Sequence, residues 1–600
     1  MSTAILTGTP VPGSSIEADL RSLGFEVRAV RGAAEAERAI AEAPCGERVA
    51  LVDARFVGHV HALRLALTDP RFPLSAVPGA VAARPDGRTA LGRALARETS
   101  AGGRTAIAVG SVADRVVEAL DAEGATVHRP ALGSLVAAVP QDPQALDEAR
   151  RAVAAVDDEA VRLKSSVKSG DGFFTTFFIS PYSRHLARWC ARRGLTPNQV
   201  TTASLLTALI AAGCAATGTR GGFVAAGILL IVSFVLDCTD GQLARYALKY
   251  STLGAWLDAT FDRAKEYVYY AGLALGAARG GDDVWHLALA AMVLQSVRHM
   301  VDFAYHEAED DVAPPATGPV KKVGLSVWVR RMIILPIGER WAMIAVLTAV
   351  ATPRVTFYAL LIGCAFAAAY TTAGRLVRSL RRRTPNTDRS ARALADMADN
   401  GALVAALHPL SRRIGVRDHG TVSRVGAVVG VTAPLLLAAA LTGHGSRWPL
   451  VLAALYVLGS ATATALPLKG SLDWLIVPLF RTAEYTTVLL LAVHADVNGA
   501  LPAAFGLVGA VAYHHYDTVY RIRGGAGAPP AWLVRAIGGQ EGRTLLVCVL
   551  AALLDGKPFT LALTALAVAV ALLGLVESIR FWVAAHKAGA PAVHDEGELA

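Results

Sequence analysis

"LDCTDGQLARYALKYSTLGAWLDATFDR", Leu236 to Arg263, sets four aspartates, Asp237, Asp240, Asp258 and Asp262, among segments apolar enough to cross a bilayer. A carboxylate at the centre of a membrane helix costs roughly 2.5–3.5 kcal/mol on insertion scales, so the cluster calls for a partner or a function. Asp237 and Asp240 are spaced i, i+3, and Asp258 and Asp262 i, i+4. Both spacings put the pair on one helix face. Two neighbouring antiparallel helices can then aim all four carboxylates into one pocket. They do not all stay ionised at close range without cations between them. One or two divalent ions remove the conflict, and hard oxygen donors favour Mg²⁺, Mn²⁺ or Ca²⁺. Such ions bind a diphosphate and stabilise displacement at phosphorus. Gly241, Ala244 and Gly254 leave backbone open on the same helices, and Arg245 offers a fork to phosphate oxygens. Two other readings stay open on the residues alone. The carboxylates could pair with Lys and Arg, or serve a polytopic transporter that uses the cluster to bind a coupling ion.

The chain has 600 residues, of which 53% are hydrophobic and 18% charged, with a mean hydropathy of +0.42. That composition implies several membrane spans. The net charge of +9 reads as loop Lys and Arg facing anionic lipid. Nucleic-acid binding is disfavoured, because no basic stripe with interleaved aromatics occurs. The six cysteines are scattered without a CxxC pair, which argues against a disulfide framework or a zinc site. The opening "MSTAILTGTPVPGSS" lacks a basic start followed by an apolar core, so the N-terminus is expected in the cytoplasm.

Residues 1–155 read as a soluble α/β domain. Short runs such as "TAILTG", "VALVDA", "TAIAVG" and "ATVHRP" alternate with helical runs, predicting a mostly parallel, Rossmann-like sheet. Apolar segments follow near 200–217, 222–239, 253–277, 284–303, 341–352 and 355–374. The loops at 240–252, 304–340 and 375–420 carry most of the Lys and Arg, while the opposite loops hold Arg220, Arg279 and Arg354. This positive-inside pattern puts the aspartates at the cytoplasmic ends of the second and third spans of a multi-pass protein in the cell membrane. Residues 386–420 read as a polar cytoplasmic linker, 421–590 as a second membrane region and 591–600 as a disordered tail.

The full spacing Asp237-x2-Asp240-Gly241-x2-Ala244-Arg245-x8-Gly254-x3-Asp258-x3-Asp262 resembles the signature of the CDP-alcohol phosphotransferase (CDP-alcohol phosphatidyltransferase) family at every fixed position. The likeness covers about residues 165–385, within a membrane domain read as 160–385, and includes "LTPNQVT", Leu195 to Thr201, ahead of the first span. It implies an all-α, six-helix membrane enzyme of phospholipid or polyol-phosphodiester biosynthesis. Such an enzyme moves the phospho-alcohol group of a CDP-alcohol to an acceptor alcohol and releases CMP. By the resemblance, Asp237, Asp240, Asp258 and Asp262 hold Mg²⁺ or Mn²⁺, with a two-metal site expected. Asp262 is also the general base. Asp240, Gly241, Ala244, Arg245 and Gly254 line the cytidine diphosphate site.

"LKSSVKSGDGFFTTFF", Leu163 to Phe178, resembles the pre-membrane segment of members that use an inositol phosphate, with Lys168, Asp171 and Gly172 in the matching run. Arg263, Arg298, Arg330 and Arg331 are further candidates for an anionic acceptor. Some such members are fused to a nucleotidyltransferase domain. Residues 1–155 distantly resemble that domain, with Asp53 at a strand end as its metal-binding Asp, but the Gly-rich loop with its basic residue is missing. A degenerate nucleotidyltransferase-like domain is expected.

The last third echoes the membrane domain. "WLDATFDRAKEY" at Trp256 and "WLIVPLFRTAEY" at Trp474 share Trp, Leu, Arg, Glu and Tyr at one spacing. "HMVDFAY" at His299 pairs with "HHYDTVY" at His514, and "WVRRMI" at Trp328 with "WLVRAI" at Trp532. Asp258 then falls on Ile476, Asp262 on Phe480, Asp237 near Gly459 and Asp240 near Thr462. The expectation is a duplicated six-helix bundle without a metal site, making either a homodimer or an internal pseudo-dimer.

Overall fold

A computed structural model of the chain describes residues 2–102, 110–168, 170–309, 325–382, 384–413 and 421–587. The N-terminal sheet contains β1 (Ser2–Thr7), β2 (Phe25–Val30), β3 (Val49–Asp53), β4 (Leu74–Val77) and β5 (Ala80–Ala83), in the order β2-β1-β3-β5-β4. β1 pairs parallel with β2 and β3, but β5 is antiparallel to both β3 and β4. The sheet is therefore mixed, not mostly parallel. The cause is Pro78-Gly79: proline presets the first turn position and Gly79, at φ +78°, takes the second, folding β4 back on β5. "TAIAVG" lies outside the described residues except for Gly110, and "ATVHRP" contributes only an isolated bridge from His128 to Ser75.

The remainder is helical. Helix α1 (Asp158–Ser165) leaves the N-terminal domain, and α2 (Ser180–Arg192) follows a short π-helical turn at Thr175–Ile179. The first bundle holds α3 (Pro197–Ala216), α4 (Arg220–Ala247), α5 (Thr252–Arg279), α6 (Trp285–Glu309), α7 (Leu325–Ile334), α8 (Ile337–Val350) and α9 (Pro353–Arg381). The starts are written in the sequence. Thr196 and Gln199 form a capping box with Pro197 in the first turn, and Thr219, Ser251 and Thr352 cap α4, α5 and α9 with their hydroxyls. α7 and α8 are bent by 60° around Leu335, at φ +54°, and Pro336. The helices pack closely where side chains are small. A Cβ on Gly272 or Gly276, one turn apart on α5, would strike the carbonyl oxygens of Ala212 and Ala215 on α3 at 2.5 and 2.0 Å.

The second bundle runs α10 (Asp388–Met397), α11 (Ala402–Arg413), α12 (Thr421–Leu441), α13 (Trp448–Thr464), α14 (Ile476–His494), α15 (Ala500–Arg523), α16 (Ala531–Ile537), α17 (Gly539–Leu553) and α18 (Lys557–Lys587). The stretch read as a polar linker thus holds two helices. α10 buries Ala391, Ala393, Leu394 and Met397, an apolar face hidden in a polar composition. Among the described residues, eight helices are long and apolar enough to cross a membrane, or nine if the bent pair counts as one. α5 and α15 do not reach that composition, because they carry charged residues that the bundles bury.

The N-terminal domain docks on the end of α4. Arg162 Nε donates to Tyr246 O at 2.9 Å and Arg64 Nη2 to Ala247 O at 3.3 Å. Two guanidinium groups therefore satisfy carbonyls that a helix C-terminus leaves open. Arg71 stacks over Tyr250 at 4.0 Å in the loop that leads to α5.

Candidate active site

The aspartates occupy the last turns of α4 and the first turns of α5, joined by the short loop Leu248–Ser251. The first turn of α5 lies directly on α3. A Cβ on Gly254 would come 2.7 Å from Asn198 Oδ1 and from Ser251 Oγ, so a larger residue there would push the Asn198 side chain aside. "LTPNQVT" is thereby brought to the aspartates.

One carboxylate oxygen from each of Asp237, Asp240 and Asp258 lies within 4.8 Å of the others. A divalent cation with oxygen ligands at about 2.0–2.6 Å fits among such a trio. Asp240 is 3% exposed, and among the described residues its Oδ2 has no hydrogen-bond partner. A buried carboxylate oxygen without a donor is costly, and a hard cation removes that cost. The residues present therefore fit a divalent metal ion.

Asp262 lies on the same face of α5 but outside this trio, its Oδ1 held by Lys265 Nζ at 2.8 Å. The same ammonium pairs with Asp237 Oδ1 and donates to Ser204 Oγ. Sequence reading did not single out Lys265, although Asp258, Asp262 and Lys265 recur at i, i+4 and i+7, one helix face.

Most of the residues expected to line a cytidine diphosphate lie close together on α4. Gly241 sits beside the Arg245 guanidinium, 3.5 Å from an ideal Cβ, and Arg245 Nε donates to Ser166 O at 2.5 Å. That bond ties α4 to the segment holding Lys168 and Asp171. Ala244 is half-buried on the same helix.

The acceptor candidates divide. Arg331 Nη1 donates to Asp171 O at 3.0 Å, and Phe174 N donates to Glu339 Oε1 at 3.2 Å. α7 and α8 thus close over the Asp171–Gly172 turn. Arg298 is buried and caps the carbonyls of Ile334 and Leu335. Arg263 faces His299 at 3.2 Å and the Tyr516 ring at 5.4 Å. Arg330 is exposed. A buried pair that the sequence reading missed, Glu266 with Arg340 at 3.0 and 3.1 Å, locks α5 to α8.

In the N-terminal domain Asp53 ends β3, as expected, but both of its oxygens are held by Arg55, at 2.9 and 3.1 Å. Nearby Asp114 accepts Gly79 N at 2.7 Å, and burial pushes its carboxyl above the usual range.

Residues 194–364 match the CDP-alcohol phosphatidyltransferase family, and residues 388–600 match a family of unknown function (DUF5941). A phosphatidylinositol phosphate synthase of Streptomyces avermitilis is 34% identical over 123 residues, 20% of this chain and 48% of that protein. A bifunctional IPC transferase and DIPP synthase of Thermococcus kodakarensis is 34% identical over 143 residues, 22% of this chain and 30% of that protein. An archaetidylinositol phosphate synthase of Pyrococcus horikoshii is 37% identical over 91 residues, 15% of this chain and 47% of that protein. The chain spans about half or less of the length of each. Signature, geometry and these matches converge on the same stretch: over residues 194–364 the chain carries a domain of the CDP-alcohol phosphatidyltransferase family, whose members are transferases of phosphate groups.

Proposed function

We propose that the chain is a multi-pass membrane enzyme that transfers a phosphatidyl or phospho-alcohol group from a CDP-alcohol to an acceptor alcohol, releasing CMP at the cytoplasmic face. The observation that carries this reading is the trio Asp237, Asp240 and Asp258, whose Asp240 keeps a buried Oδ2 with no donor among the described residues. These residues would hold Mg²⁺ or Mn²⁺. When bound, a divalent ion supplies charge neutralisation at the diphosphate and at the leaving CMP oxygen.

The chain's own groups do the rest. Gly241, Ala244 and Gly254 let the nucleotide approach the backbone, and Arg245 faces its phosphates. Asp262 Oδ2 takes the proton of the acceptor hydroxyl. The acceptor oxygen bonds to the phosphorus bearing the alcohol as the bond from that phosphorus to CMP breaks. An acceptor bearing a phosphate, such as an inositol phosphate, is favoured by Asp171, whose carbonyl is held by Arg331, and by the likeness to a phosphatidylinositol phosphate synthase and an archaetidylinositol phosphate synthase.

The test is CMP release by the purified protein, given CDP-diacylglycerol or CDP-inositol, inositol phosphate and Mg²⁺, with Asp262→Asn as the blank. Metal-dependent CMP is expected. No CMP with any of a panel of polyol acceptors would favour an ion-coupled transporter instead.

We further propose that residues 388–600 are a copy of the first bundle without a metal site, which makes the chain an internal pseudo-dimer. Several paired contacts support this. Glu339 faces Gly172 and the amide of Phe174, and Glu541 accepts from the amides of Gly401 and Val404 at 3.0 and 3.1 Å. Glu266 pairs with Arg340, and Glu484 with Arg543 at 2.5 Å. Contacts across the two bundles are reciprocal. Trp256 of α5 stacks on Trp582 of α18 at 6.1 Å, while Trp474, just ahead of α14, donates to Ser379 of α9 at 3.0 Å. At the positions matching the aspartates, Ile476 and Phe480 are fully buried, and Val431 fills the space beside Gly459. Light scattering in detergent is expected to find one chain per particle, and a two-chain particle would count against this reading.

A further inference from the structure

We infer that Lys265 is a built-in cation of the aspartate cluster, so that this chain takes one divalent ion where four carboxylates would otherwise accommodate two. The inference rests on the reading of Asp237, Asp240 and Asp258 as a metal site. Lys265 is completely buried. Its ammonium donates to Asp237 Oδ1 and, at 3.2 Å, to Ser204 Oγ, and it forms an ion pair with Asp262 Oδ1 at 2.8 Å. The Trp341 ring face lies 5.5 Å away and favours the charge further. These contacts hold the charge in place, so Lys265 is a positioning residue.

Its place is the one a second ion would need. A second ion held by Asp237 and Asp262 would need their oxygens as ligands, and the ammonium already sits against Asp237 Oδ1 and Asp262 Oδ1. Among the described residues, the trio that could hold an ion does not include Asp262. Lys265 thus divides the cluster: three carboxylates take the divalent ion, and the fourth is held ionised and oriented toward the acceptor without being a metal ligand.

The experiment counts ions. Full-length protein in detergent is dialysed to equilibrium against Mn²⁺, bound metal per chain is measured, and the electron paramagnetic resonance spectrum is recorded. The wild type is expected to bind one Mn²⁺ per chain with an isolated six-line spectrum. Lys265→Met is expected to bind two, with the exchange coupling of ions about 4 Å apart. Lys265→Gln stands in if the methionine variant does not fold. Two Mn²⁺ per wild-type chain would overturn the inference and leave the metal site standing. A count of one in both wild type and variant would overturn it as well, since the lysine would then not be what excludes the second ion. No Mn²⁺ on the wild type would sink the metal site itself.

Discussion

Asp240 shows how a single residue's surroundings carry the chemistry. Its carboxylate is buried and, among the described residues, one oxygen lacks a donor, a state that a nearby cation stabilises. Asp240→Asn removes a ligand and puts an amide in its place. We expect it to weaken Mn²⁺ binding and to lower CMP release by at least about 100-fold, checked by dialysis and by product assay. Glu266 makes the complementary case. Glu266→Gln leaves the buried Arg340 without its charge partner, which is expected to cost about 3–5 kcal/mol and to appear as a large drop in melting temperature. The four aspartates were legible in the sequence, because their spacing fixes both a helix face and a family signature. Lys265 was not singled out. Its i+3 and i+7 offsets from Asp262 and Asp258 match that face, but spacing alone does not say whether a lysine reaches inward or snorkels to the headgroups.

At the scale of elements, the end of α4 matters most, because it sets where Asp237 and Asp240 point. Its terminal carbonyls are held by Arg162 of α1 and Arg64 of the N-terminal domain. Arg162→Ala is expected to loosen the docking by ~1–2 kcal/mol, seen as faster hydrogen exchange at Tyr246–Lys249. The same joint is sensitive to acid. His61 is pushed down to about 4 by burial, with the positive charges of Arg162 and Arg64 adding to it. The unfolded chain takes up that proton near pH 6.5, while the folded domain refuses it until about pH 4. Stability therefore rises with pH across that window and is lost as pH falls through it. Between pH 7 and pH 5 the loss is expected to be ~2 kcal/mol, and His61→Phe should flatten it in a thermal melt. Sequence pattern located β1, β3 and most spans, since their periods and caps are local. It did not give the β4–β5 hairpin, where Pro78-Gly79 carried the signal unread, nor α10, whose apolar face is built largely from alanine.

For the whole molecule, the second bundle is the larger consequence. The repeats of Trp, Arg, Glu and His were visible in the sequence, but their meaning is three-dimensional. Trp256 and Trp474 each reach the last helix of the opposite bundle, a relation that no one-dimensional spacing reveals. If the second bundle braces the first, damage there should lower activity without touching a ligand. Trp582→Ala removes an aromatic contact and large buried surface beside Trp256, at an expected cost of about 3–5 kcal/mol. It should reduce melting temperature and CMP release together while leaving one Mn²⁺ per folded chain.

The most direct measurement is the anomalous scattering of Mn²⁺ in crystals of the full chain grown with CDP-diacylglycerol. The account predicts one strong peak within about 2.6 Å of oxygens from Asp237, Asp240 and Asp258, in contact with the diphosphate, with Lys265 still between Asp237 and Asp262. A map with the diphosphate bound elsewhere, or with no metal at these three carboxylates, would contradict it.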